Sequence, residues 1–309
     1  MSAAASPVAV IVLHWGVEAD TLACLRSVAA TGFPAHPLLV IDNGTGVPSD
    51  AAIAAVTPEA EVIRLPQNLG YTGGNNVGIR HALERGAASV VIVNNDATLD
   101  PACLDVLTRT AAAAGPSTAA VGAKVLQSAD PSRLWMAYGR LTYRAALVER
   151  VGAGALDVAG PDHPHEVDWV SGCAVLLTRE ALEAVGLFDE RFFAYHEDVD
   201  WCTAARARGF RVLYAPAARA FHRGGGSTAA YEGGAAVRYL CARNTVLFAR
   251  KHARPLEAAR LALRIGGSLP LAWLRELRRG GPHQTRDLLR GYRDGLLGRA
   301  VPYEALGLR

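Results

Sequence analysis

The five cysteines of this chain, Cys24, Cys103, Cys173, Cys202 and Cys241, are scattered and include no CxxC pair. That pattern excludes a disulfide framework and a structural zinc site, so each thiol reads as a small buried apolar residue. Long apolar runs are missing too. No stretch reaches the roughly 18 uninterrupted apolar residues of a spanning helix. Residues 261–274 come nearest and are interrupted by Arg264, two glycines and Pro270. Residues 1–7 hold neither the basic residues nor the apolar core of a signal peptide, which makes the cytoplasm the expected compartment. The net charge of +3 is too small to imply a nucleic-acid partner.

What is present fits a folded α/β protein. With 309 residues, half of them hydrophobic and a fifth charged, the chain suits one large domain with an extension, or two modest domains. Charge is unevenly spread. From Arg243 onward fourteen basic residues face five acidic ones, leaving the rest of the chain at about −6. A basic helical tail on a neutral-to-acidic body suits an anionic partner or a membrane surface. Residues 8–13, 38–41, 61–65 and 89–93 are short runs rich in β-branched and aliphatic residues, and helical patterns over 20–30 and 75–85 separate them. Such runs predict a mainly parallel sheet covered on both faces. A further strand is expected over 169–178, helices over 179–185 and 199–208, and a strand end over 211–214. The tail from Ala235 reads as helical, with breaks at Pro255, near Pro270 and at Gly280-Gly281-Pro282. The alanine run 111–114 is the one linker-like stretch.

Ligands of open α/β sheets sit beyond the carboxyl ends of the strands. Three polar clusters fall there: His14-Trp15-Gly16, Asp42-Asn43-Gly44 and Asn94-Asn95-Asp96. Asp42 either caps the next segment or accepts hydrogen bonds from a base or ribose. Asn94-Asn95-Asp96 is either an Asx turn or a place where Asp96 coordinates a divalent cation on a diphosphate. The glycine-rich residues 67–78 lead into a helix and read as an anion-approaching loop or a tight turn; their spacing matches neither GxGxxG nor GK[ST]. Most telling is FDERFFAYHEDVDW (188–201), in which Glu197, Asp198 and Asp200 fall within four residues. Carboxylates so close repel, and a fold keeps them together where a cation, a ligand or water offsets the cost. The plainer alternative is a solvated acidic turn capping a helix that begins near Val199.

In order along the chain, several segments resemble glycosyltransferase family 2, in its bacterial rhamnosyltransferase-like branch. They are VIVLHWGVEADTLACLRSV (10–28), VIDNG (40–44), NLGYTGGNNVG (68–78), IVNND (92–96), WVSG (169–172), GLFDERFFAYHEDVDW (186–201) and residues 216–227 with His222. Together they cover about residues 8–250. The resemblance implies a GT-A fold, Rossmann-like with a mainly parallel sheet. A catalytic domain over 1–234 would then bind donor and acceptor, followed by a C-terminal helical extension over 235–309. It implies an inverting transfer of a sugar from a nucleotide sugar to a hydroxyl, in cell-surface polysaccharide or glycoconjugate biosynthesis.

Carried over residue by residue, Asp198 would be the catalytic base, with Glu197 orienting it or raising its basicity. His14, Asp42, Asn68, Gly70, Asn75, Asn95 and Asp96 would contact the nucleotide sugar. Asp96 and His222 would hold a divalent cation, Mn2+ or Mg2+, on the diphosphate. Trp169, Gly172, Asp200 and Trp201 would shape the acceptor side. These roles agree with chemistry: a base must reach the attacking hydroxyl, and a cation neutralises the departing diphosphate. Two departures stand out. The metal position holds a single acid, Asp96, where the family often has two, and His14 and Gly16 stand where this branch often has asparagines. For His222 the bland alternative is a satisfied surface or core histidine. dTDP-L-rhamnose is the first expected donor, with UDP-galactofuranose or another UDP-hexose behind it. The acceptor would be a saccharide, a lipid-linked saccharide, a protein or a small natural product. A nucleotidyltransferase is disfavoured by the lack of a basic glycine-rich signature near the start, and a non-catalytic relative by the presence of Asp198. Residues 288–299 read as an amphipathic helix with a basic side, packed on the catalytic domain with its arginines solvated. The sharper alternative is that the basic C-terminal helices touch the inner face of the plasma membrane, and a homodimer interface is the third.

Overall fold

A computed structural model describes residues 7–143, 147–158, 163–223, 234–278 and 283–302. The first half runs β1 (Val8–His14), α1 (Glu18–Ala30), β2 (Leu38–Asp42), α2 (Asp50–Ala54), β3 (Glu61–Arg64), α3 (Gly70–Glu84) and β4 (Ser89–Asn94). Then come β5 (Ala97–Leu99), α4 (Cys103–Ala114), β6 (Thr118–Gln127), β7 (Leu134–Met136), β8 (Tyr138–Leu141), β9 (Val148–Val151) and β10 (His165–Glu166). β11 (Ala174–Thr178), α5 (Arg179–Val185), a 3₁₀ turn at Glu190–Phe192, α6 (Glu197–Ala207) and β12 (Arg211–His222) complete the sheet region. Three helices follow: α7 (Ala235–His252), α8 (Pro255–Leu277) and α9 (His283–Leu296).

β1 and β2 are buried at every position, as strands covered on both faces must be. The main sheet has the order β10-β12-β6-β11-β4-β1-β2-β3, with β5 added to β12 and β7 to β6. β3, β2, β1 and β4 are parallel, β11 is antiparallel to β4 and β6, and β12 is parallel to β6. Alternate residues of β1 feed two cores. Ala9, Ile11 and Leu13 meet α3, α5 and α6, whereas Val8, Val10 and Val12 meet α1 and α4.

Several sequence expectations change. The glycine-rich stretch is largely the first turns of α3, not a loop. Gly74 and Gly78 stand against Leu13 and Ile11, where a Cβ would collide, so these glycines bring the helix onto the sheet. α6 starts at Glu197, two residues early, and β12 runs on to His222 past Pro216 through a register shift between Ala215 and Arg219. Residues 169–173 leave the strand ladder, since the Gly172 carbonyl and amide are taken by Tyr71 and Asp198. The alanine run is the end of α4, and not a linker. Pro255 does begin a helix, at its first position. Pro270 sits inside α8 without ending it, because the carbonyl that loses its bond belongs to exposed Gly266. Gly280-Gly281-Pro282 lie outside the described residues, as does the 224–227 end of the His222 motif.

α9 is the helix expected to be a basic amphipathic surface, and its glycine face lies on α7 instead. A Cβ on Gly295 would stand 2.6 Å from the Arg243 carbonyl, and one on Gly291 would strike that of Tyr239. Tail arginines are partly consumed internally: Arg238 pairs with Asp287, while Arg293 and Arg299 pair with Asp294.

Candidate active site

The carboxyl ends of β1, β2 and β4, the loop after Trp169 and the start of α6 enclose an open cavity of about 930 Å³. Asn68, Gly70, Asn95, Asp96, Trp169, Gly172, Glu197, Asp198 and His222 all line it. Pairing of β5 with β12 sets His222 opposite Ala97 and so beside Asp96. The His222 Nε2 lies 3.1 Å from Asp96 Oδ1, both side chains nearly buried. The His222 ring packs tilted against Trp135, centroids 4.7 Å apart, and its Nδ1 has no hydrogen-bond partner among the described residues. Among the described residues no cluster of three or more His, Cys, Asp or Glu side chains could hold a metal. One carboxylate and one imidazole facing a roomy cavity fit a divalent cation whose remaining ligands come from a diphosphate and water.

α6 presents Asp198 to the cavity from a helix start that the chain reaches by a contorted route. Phe193, Tyr195 and His196 all have φ between 64° and 70°, a region rarely adopted by side chains of this size. Buried polar groups of α7 fix that loop. Asn244 Nδ2 donates to the carbonyls of Phe192, Ala194 and Tyr195 at 2.8–2.9 Å, and Arg243 donates to Arg191 O at 2.7 Å. His196 Nε2 lies 3.2 Å from Thr245 Oγ1. Burial drives the His196 ring down to about 4, so it is neutral.

Asp198 accepts from the Gly172 amide at 3.2 Å and from the Val199 amide at 2.8 Å. Burial pushes its pKa up to about 6 against the pull of those amides. Burial, and then the Asp198 charge, raise Glu197 well above the usual carboxylate range, and its Oε2 has no hydrogen-bond partner among the described residues. The pair therefore splits its tasks: Glu197 keeps its proton while Asp198 is ready to take one near neutral pH.

The other five expected site residues stay out of the cavity. Asp200 is two residues beyond Asp198, about 200° around the helix. There it accepts from Lys251 Nζ and meets His252 Nε2, both at 2.7 Å, tying α6 to α7. Trp201 is core: its indole donates to Gly186 O at 2.8 Å and packs on Phe188. Neither lines the cavity. Asp42 is 1% exposed and accepts from the Thr45 and Gly46 amides, the Thr45 hydroxyl and Arg64. Burial would raise its pKa, but those donors hold it below the usual range. It builds its own turn, the capping alternative. His14 is buried, its pKa lowered by burial, with Nδ1 2.6 Å from Thr21 Oγ1. Asn75 bonds within α3 to Tyr71 O.

Four residues at the site gave no such signal in the sequence reading. Trp135 and Arg150 line the cavity from β7 and β9, the Arg150 guanidinium 5.2 Å from the Trp135 ring centre. It is the one guanidinium or ammonium among the described residues lining the cavity. Arg243 and Asn244 are the others. They continue the buried face of α7 formed by Ala236, Tyr239 and Leu240, and polar residues where that period calls for apolar ones were the available signal.

A family model described as Glycosyltransferase like family 2 matches residues 5–254. The chain is 27% identical over 216 residues to the N-acetylglucosaminyl-diphospho-decaprenol L-rhamnosyltransferase of Mycobacterium tuberculosis, covering 62% of this chain and 67% of that protein. It is 23% identical over 226 residues to the dTDP-rhamnosyl transferase RfbF of Shigella flexneri, covering 71% and 72%. Among solved structures, the mannosyltransferase PcManGT from Pyrobaculum calidifontis in complex with GDP-Man and Mn2+ matches with a TM-score of 0.58 at 17% identity, over 95% of this chain and 88% of that one. GalNAc-T7 with UDP, GalNAc and Mn2+ matches at 0.56 and 13% identity, over 70% of this chain and 43% of that one. The fold is GT-A, with C-terminal helices added.

Proposed function

Because the chain belongs to the glycosyltransferase-like family 2, we propose that it inverts the anomeric centre of L-rhamnose as it moves the sugar from dTDP-L-rhamnose to a hydroxyl of a lipid-linked saccharide. The observation that carries the reading is Asp198: a carboxyl of raised pKa, gripped by two amides, in the same cavity as the Asp96–His222 pair. Asp198 accepts the proton of the acceptor hydroxyl as its oxygen attacks the anomeric carbon. The bond from that carbon to the diphosphate oxygen breaks on the opposite face, and the nucleoside diphosphate departs. Asp96 and His222 would hold a divalent cation, Mn2+ or Mg2+, which when bound neutralises charge on the leaving diphosphate. Asn68, Gly70 and Asn95 face the donor, with Arg150 near its phosphates. Trp169 and Gly172 flank the acceptor.

Residues 1–234 are taken as the catalytic unit and 235–309 as an extension whose first helix buttresses the base. Rhamnose is favoured by the names of the two sequence relatives, and the lipid-linked acceptor by that of the mycobacterial one. The runner-up is a UDP-hexose donor. The site of action would be the cytoplasmic face of the plasma membrane.

Calorimetric titration with dTDP-rhamnose, UDP-galactose and UDP-N-acetylglucosamine, with and without Mn2+, tests the donor. Metal-dependent binding of dTDP-rhamnose alone is the expected result; binding of none would overturn the transferase reading, and preference for a UDP-sugar would replace rhamnose. Asp198→Asn should abolish transfer and leave donor binding intact. Loss of donor binding in that variant would make Asp198 a structural or metal-site residue.

A further inference from the structure

α8 packs on the body through one side only, with Leu261 its single buried residue. Its other side is unusually apolar for a water-facing helix. Leu256 is 62% exposed, Leu263 78%, Leu271 66%, Leu274 55% and Leu277 51%. Leu256, Leu263 and Leu274 are seven and eleven residues apart, which at 3.6 residues per turn places them on one line. Beside that line stand Arg260, Arg264, Arg275 and Arg278, all exposed.

One acid of α8, Glu257, lies on their side of the helix, three residues before Arg260, against four arginines. Both acids of α8 are engaged: Glu257 accepts from the Arg254 amide at the helix start (2.8 Å), and Glu276 accepts from the Thr285 amide (3.1 Å). Among the described residues no helix is long and apolar enough to cross a membrane. Leucines in line, flanked by four arginines against one acid, make a surface that lies in an interface rather than spanning it.

We propose that the exposed face of α8 docks on an anionic bilayer surface, leucines entering the acyl boundary and arginines meeting lipid phosphates. Charge decides between occupants. A second copy of the chain packed on this face about a two-fold axis would set four arginines against four, with one already bonded acid per copy, Glu257, to offset them. A layer of anionic headgroups satisfies all four. The inference deepens the lipid-linked acceptor reading, since docking holds the cavity beside a substrate confined to the membrane. Of the basic C-terminal helices it assigns the contact to α8, while α9 packs on α7.

The test is flotation of the full chain with phosphatidylcholine vesicles, with and without phosphatidylglycerol, in the absence of donor and acceptor. Loss of sugar transfer therefore leaves this result untouched, and the reverse. The protein should float with the anionic vesicles alone and be released by added salt. Leu263→Glu/Leu274→Glu should bind about tenfold more weakly or worse, and Arg260→Ser/Arg264→Ser should bind weakly and lose the salt response. Thermal unfolding of both variants checks that the fold is kept. No retention of the unaltered protein on anionic vesicles overturns the proposal. So does equal retention of the Leu263→Glu/Leu274→Glu variant, or a solution dimer dissociated by those glutamates without vesicle binding.

Discussion

Replacing Asn244 with alanine removes the donor that holds the loop ahead of α6. Its amide is fully buried, and two N–H groups serve the carbonyls of Phe192, Ala194 and Tyr195. The Phe192 carbonyl keeps a bond from the Ala194 amide, so the loss falls on the other two. Two bonds at about 1 kcal/mol each, with a further increment for the space vacated, give a destabilisation of about 3 kcal/mol. A second effect follows from the backbone. Phe193, Tyr195 and His196 sit in the left-handed region, at about 1–3 kcal/mol each, and persist because their surroundings over-determine them. Freed of Asn244, the loop relaxes and carries Asp198 with it; displacement by about 1 Å is worth about 100-fold in rate. Urea unfolding should show the stability loss, and transfer should fall about 100-fold while calorimetric donor affinity holds. A stability change below about 0.5 kcal/mol, as for an ordinary surface substitution, together with an unchanged rate would refute the account.

The pH profile follows from Asp198. Its folded pKa is raised to about 6, and a base works only when deprotonated, so kcat/KM should rise through about pH 6 and fall tenfold per unit below it; a flat acid limb would remove Asp198 as the base. Asp96→Asn or His222→Ala should each weaken Mn2+-supported donor binding by about tenfold or more, read by calorimetry, and indifference of the unaltered protein to Mn2+ would dismiss the pair as a metal site. His196 has its folded pKa depressed to about 4, below the unfolded value, so its stabilising contribution is complete above about 6.5 and is lost as pH falls toward 4. Asp198 and Glu197, both raised, act with the opposite sign, so the comparison is between the natural protein and His196→Gln. Their difference in unfolding free energy should shrink over that window, and a constant difference would show that His196 charges as freely in the folded protein as in the unfolded one.

Strands buried on both faces announce themselves, which is why β1, β2 and β4 and their parallel order follow from Val8, Leu38 and Ser89 onward in the sequence alone. The pairing of Asp96 with His222 was legible only through resemblance; nothing local links residues 126 positions apart, and a short strand, β5, joins them. Asp200 was misplaced because residues two apart on a helix point in opposed directions. Trp201 was misplaced because an aromatic ring was read as a platform for a sugar, whereas its indole is buried and bonded to Gly186 O. Glycines 74 and 78 misled in another way. Glycine marks both a loop that must bend and a helix that must approach closely, and the composition of residues 67–78 is the same for either. Arg243 and Asn244 were hidden by a charge count. Added to a basic tail, Arg243 became part of a surface, although it is 5% exposed and bonded to the carbonyls of Arg191 and Arg299.

The single carboxylate at the proposed metal position has an electrostatic consequence of its own. A divalent cation held by two carboxylates presents no net charge to a diphosphate, and all stabilisation of the leaving group must then come from local geometry. Held by Asp96 and a neutral imidazole, the same cation keeps a net charge of about +1. Such a site would bind metal weakly alone and more firmly once the donor brought its oxygens, which would couple metal occupancy to donor binding. Arg150, poised over Trp135 at the cavity wall, adds a second positive charge that needs no metal. On this reasoning the missing acid shifts the work of charge neutralisation from a preformed metal centre toward an assembly of donor, cation and guanidinium. It is completed only when the substrate that needs it is present.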